Sequence, residues 1–104
     1  MDAGSAGSFA EMSMLRYAQL SYELERYRDA YKGYSSLLAT TKIDGNREEA
    51  REGMMRSAYR SKDYDAAISA SDAVAANSAA GSALRREAEY VKAKSCLAMS
   101  RRDF

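Results

Sequence analysis

Proline, histidine and tryptophan are absent from this sequence, and cysteine occurs once, at Cys96. With no proline, no position is barred from a helix interior by a missing N–H. With no histidine there is no imidazole for general acid–base work, no Ser-His or Cys-His nucleophile pair and no nitrogen ligand for zinc, so catalysis, a metal and a cofactor are not expected. A single cysteine cannot close an internal disulfide; the fold does not depend on an oxidising compartment, and the compartment stays open. An excess of one charge is also missing. Sixteen basic against fifteen acidic residues leave a formal net charge of +1, too little for nonspecific binding to nucleic acid or direct binding to an anionic membrane. No apolar run approaches the roughly eighteen residues of a membrane span. The 104 residues, 46% hydrophobic and 30% charged, suffice for one modest core.

What the sequence does contain is helical periodicity. Residues 1–8, MDAGSAGS, are small and polar and predict a flexible tail or linker. Ser8 and Glu11 have capping-box spacing, which starts the first helix near Phe9; Met12, Leu15, Ala18 with Gln19, and Tyr22 then recur at three- and four-residue steps. Arg26 to Thr41 carries a second pattern. The Asp44-Gly45 turn signal and Asn46 as N-cap start a third helix, with Glu48, Glu49 and Glu52 at its positive end and Arg56, Arg60 and Lys62 at its negative end. Asp63 to Ala76 and Ala83 to Ser100 complete five helices around the loop NSAAGS. The expected class is all-α.

Three short segments are alike: Leu24-Glu25-Arg26-Tyr27, Ser61-Lys62-Asp63-Tyr64 and Arg101-Arg102-Asp103-Phe104. Each is polar and ends in an aromatic, and the aromatics are 37 and 40 residues apart by their positions in the chain. After the first two, alanine follows three residues later, at Ala30 and Ala67, where a small residue lets the helices of a hairpin approach closely. This pattern resembles the tetratricopeptide repeat. Ala18 falls at the small position of the first helix and Tyr34 at the aromatic of the second; Met55 and Ser71 stand at the same places in the next unit. The resemblance implies a solenoid of antiparallel helix hairpins: repeat 1 over about 9–44, repeat 2 over about 46–77, and the first helix of repeat 3 over about 80–104. Ala18, Tyr27, Ala30, Tyr34, Tyr64, Ala67 and Phe104 would hold the repeats together.

The family geometry lines a concave groove with the first helix of each unit. Carried across from the anchors, that lining is Met12, Leu15, Gln19 and Tyr22, then Glu49, Glu52, Arg56 and Tyr59, then Glu89, Lys92, Cys96 and Met99, with Tyr22, Arg56, Tyr59 and Lys92 as the expected anchors. The resemblance thus implies a noncatalytic scaffold for protein–protein interaction that binds a peptide or a partner helix; the alternative is a structural spacer in a longer solenoid. The lysine and asparagine set with which one subset of the family grips a carboxy-terminal carboxylate is missing from these positions. An uncovered fifth helix further implies a piece of a longer array, and self-association through that helix. Most of the eight tyrosines fit hairpin packing rather than base stacking, Cys96 reads as a small packing residue, and the three early glutamates of the third helix read as partners of its dipole.

Overall fold

A computed structural model describes residues 3–77 and 80–102, with side chains between residues 9 and 101. Five helices follow one another: α1 (Ala3–Glu23), α2 (Tyr27–Thr40), α3 (Asp44–Arg60), α4 (Tyr64–Ala76) and α5 (Ser82–Arg102). No strand occurs among the described residues. The chain reverses after α1 and after α3 by the same device. The Arg26 N–H donates to the Ser21 carbonyl at 2.8 Å and the Asp63 N–H to the Ala58 carbonyl at 2.9 Å, the long closing bond of a Schellman turn. The residue such a turn needs in left-handed conformation is Glu25 (φ 60°) in one and Lys62 (φ 65°) in the other. Two of the three similar segments therefore make one kind of turn. The third departs: Arg101 is still helical, and Phe104 lies outside the described residues.

Small residues set how closely these helices approach. Ala18 of α1 and Ala30 of α2 are fully buried, and a Cβ added to Gly33 would lie 2.9 Å from the Ala18 methyl. Tyr34 joins these alanines in the first core cluster. The second cluster is built by Met55 and Ala58 of α3, Ala67, Ala70 and Val74 of α4, and Ala88 and Val91 of α5. Met54 packs against both. Each helix thus packs on its chain neighbours. In addition α1 meets α3 and α3 meets α5, whereas among the described residues the backbones of α2 and α4 stay more than 8 Å apart, Cα to Cα. An array whose odd helices converge and whose even helices diverge is curved, with α1, α3 and α5 on the inner side. The molecule is long and thin, 57 by 29 by 19 Å.

Two helix starts differ from the sequence reading. α1 begins at Ala3, not near Phe9, because once a packed segment has nucleated a helix, extension through further residues costs little. Glu11 does not serve a capping box. Its buried carboxylate accepts from the Thr41 hydroxyl and from Asn46 Nδ2, the latter at 2.9 Å. Thr41 Oγ1 in turn accepts from the Ile43 N–H at 3.0 Å, so one carboxylate ties α1 to the α2–α3 connection. Asn46 is correspondingly no N-cap; α3 starts at Asp44, with Ile43 at the cap position and no side-chain cap.

Thr41, then Asn46, hold the Glu11 carboxyl below its ordinary pKa. A carboxylate lowered in the folded state contributes stability that is present above its ordinary value of 4.5 and is lost as pH falls through the lower folded value. Urea midpoints measured between neutral pH and pH 3 should therefore fall more steeply for the parent than for Glu11→Gln. Parallel acid limbs would show that the carboxylate is not held.

Ser57 and Ser95 are both fully buried, and neither hydroxyl has a hydrogen-bond partner among the described residues. A buried unsatisfied hydroxyl is destabilising by about 1–3 kcal/mol, and alanine is the better helix former. Ser57→Ala should raise stability by about 1 kcal/mol, read as a higher urea midpoint at unchanged slope. A loss would mean that the hydroxyl has a partner after all.

Candidate functional site

The side that α1, α3 and α5 share is built from helix positions 37 or 38 residues apart. α3 follows α1 at 37 residues, as the turns require. The register of α5 is set by what it buries: Ala88, Val91 and Ser95 take the places, 38 residues on, of Ala50, Gly53 and Ser57, all buried against the preceding hairpin. The helix starts agree, at Asp44 and Ser82. The spacing of 40 taken from Phe104 thus overshoots by two. Glu87, Tyr90 and Lys94 stand in line with Glu49, Glu52 and Arg56, and Glu89, Lys92 and Met99 lie two positions further along α5 than that register.

On α1, Met12 is largely exposed, while Leu15 and Tyr22 pack against the first core cluster and Gln19 is half-buried. The Tyr22 ring stands edge-on to Tyr27, centroids 5.1 Å apart, and Arg60 Nη2 donates to the Tyr27 hydroxyl at 2.9 Å. On α3, Glu49 is exposed and Glu52 half-buried. Arg56 forks onto Glu87 of α5, Nε to Oε2 at 2.7 Å and Nη2 to Oε1 at 2.8 Å, and stands 3.6 Å from Glu52. This pair holds the Glu87 carboxyl below the ordinary range, whereas burial pushes the Glu52 carboxyl up, opposed by Arg56. Tyr59 packs against the second cluster and stands 6.4 Å from Tyr64, ring to ring. Burial, and then neighbouring Tyr90, raise its phenol.

On α5, Lys92 Nζ reaches Asp72 of α4 at 2.8 Å, so it belongs to the hairpin flank rather than to the groove. Glu89 is exposed and Met99 half-buried. Cys96 is exposed, which corrects its reading as a packing residue. In place of these the inner surface carries Glu87 and Tyr90, with Lys94 Nζ 5.7 Å from the Tyr90 ring centroid. Spacing from the aromatics missed them; spacing from the helix starts finds them.

The large apolar exposure concentrates at the other end of the array. Phe9, Met12, Tyr17, Leu20 and Leu24 of α1 and its turn are each 45% exposed or more, against Tyr90 and Leu97 on α5. The searched residues contain no cluster of His, Cys, Asp and Glu with metal-ligand geometry, and no helix long and apolar enough to cross a membrane. Comparison with family models, with curated proteins and with solved structures finds no match to this chain.

Proposed function

We propose that this chain is a tetratricopeptide-like, noncatalytic interaction module that receives a peptide or partner helix on the inner side of its curve. The observation that carries the reading is the alignment of α1, α3 and α5 along one side while α2 and α4 stay apart, which sets side chains from three helices in parallel rows. Further support comes from the shared turn geometry at Glu25 and Lys62 and from Ala18, Ala30 and Ala67, all fully buried at hairpin contacts. The rows run from an apolar end, Met12 and Leu15, to the charged set Glu52, Arg56 and Glu87. A rigid array leaves the ordering cost with the partner, so a few anchors should dominate affinity.

A second reading, a structural spacer, rests on the pairing of Arg56 with Glu87 and of Lys92 with Asp72, because two of the four expected anchors are already engaged within the chain. Selection from a displayed random-peptide library separates the two. Enrichment on the parent that disappears with Met12→Glu and Gln19→Glu together, parent and double variant both helical by circular dichroism, supports the groove. Equal enrichment on both puts the bound peptides elsewhere than on the groove, and no enrichment on either favours the spacer.

A further inference from the structure

The outer side of the curve, where α2 and α4 diverge, holds a cleft floored by α3. Its walls are Tyr31 and Leu38 of α2 and Ala66, Ala70 and Ala73 of α4; Met54 lies at the bottom, and its volume is about 130 Å³. The lining is almost wholly apolar because α4 presents alanine where a larger residue would fill the gap. An apolar cavity of about 150 Å³ admits a benzene ring, so this one is sized for a single leucine or phenylalanine side chain and is too small for a drug-sized ligand.

Cations stand at both ends. Arg51 borders the cleft itself. Tyr31 is also a wall of a second depression, of about 360 Å³, edged by Arg28, Lys32 and Lys62. Among the described residues none of these four cations is in an ion pair. Asp63, the acid on that rim, already accepts the Ala66 N–H at its Oδ1. Arg51 shares a further depression with Glu48 and Glu52, so the excess of positive charge stands at the end where Arg28, Lys32 and Lys62 outnumber Asp63, and an apolar slot beside it selects a segment that carries carboxylates.

We propose that this outer cleft docks an acidic peptide segment carrying one bulky apolar side chain: the side chain fills the slot between α2 and α4, and flanking carboxylates meet Arg51 on one side and Arg28, Lys32 and Lys62 on the other. The surface lies opposite the inner groove, so the two assignments stand or fall separately.

The probe is a short fluorescein-labelled peptide with one phenylalanine between runs of glutamate, titrated with the full chain and followed by anisotropy. Saturable binding is expected, weakened by about tenfold or more by Ala73→Leu, which fills the slot, and by Lys32→Glu, which reverses a flank. Replacing the peptide's phenylalanine with alanine, or its glutamates with lysine, should weaken it equally. Met12→Glu on the inner surface should leave it unchanged. If Ala73→Leu does not fold, Ser69→Leu, also exposed and on the same wall, takes its place. Sensitivity to charge alone, or to Met12→Glu, overturns the cleft, as does an absence of binding. The chain's own exposed Glu23-Leu24-Glu25 turn has the same order of charges. Self-association in sedimentation that Leu24→Ser abolishes would give the slot to a second copy and overturn the peptide assignment.

Discussion

Gly53→Ala should lower stability by about 1–3 kcal/mol, although alanine is the better helix former by about 1 kcal/mol. A methyl at this position would fall 2.4–2.5 Å from three ring carbons of Tyr34, well inside contact distance. Tyr34 cannot swing away, because it is 7% exposed and wedged with Ala18 and Ala30. Accommodation must come from sliding α2 along α3, which also disturbs Met54 and the second cluster. Urea denaturation of Gly53→Ala, Tyr34→Leu and the double variant would measure this. The double variant should be more stable than the sum of the single losses, since the smaller side chain makes room for the methyl. Additive losses, or a Gly53→Ala protein as stable as the parent, would show that α2 and α3 are not in this contact.

Met55→Ala should be the most damaging single truncation, at about 2–5 kcal/mol. Met55 is fully buried, in the core cluster that it forms with Ala58, with Ala67, Ala70 and Val74 of α4, and with Ala88 and Val91 of α5. Those neighbours are too short to close the cavity left behind. Domains of this size are stable by about 5–15 kcal/mol, so the variant should melt tens of degrees lower or lack a cooperative transition in calorimetry. Met55→Leu keeps most of the volume and should lose less than about 1.5 kcal/mol. If both variants melted with the parent, α5 would not be covering that side of α3.

The middle of the array was legible because its contacts are local in the sequence. Tyr27 with Ala30 and Tyr64 with Ala67 sit in hairpins whose two helices are joined by three residues, so spacing alone locates the turns. Asp63 caps α4 where a short polar side chain in that position should. Several of the failures involve partners 20 to 35 residues apart. Ser8 and Glu11 have the spacing of a cap, but Glu11 finds better partners in Thr41 and Asn46, brought to it by the packing of α1 on α2. Arg56 appeared free because Glu87, which neutralises it, arrives only when the 77–81 connection delivers α5. That connection also sets the register of α5, and a ruler laid from Phe104 could not see its length. The outer cleft was invisible for another reason: it is made by the smallness of Ala66, Ala70 and Ala73, and in a sequence those read only as helix formers.

α3 is the one helix that meets all four others, and this has a kinetic side. In an array held together by nearest neighbours, opening begins where a helix has the fewest supports, so the ends should detach in local fluctuations that leave the centre intact. Backbone amide hydrogens should exchange with deuterated solvent slowest in α3, faster in α2 and α4, and fastest in α1 and α5. α1 is latched near its middle by Glu11, so its protection should break into two steps, with the segment before residue 11 exchanging ahead of the segment after it.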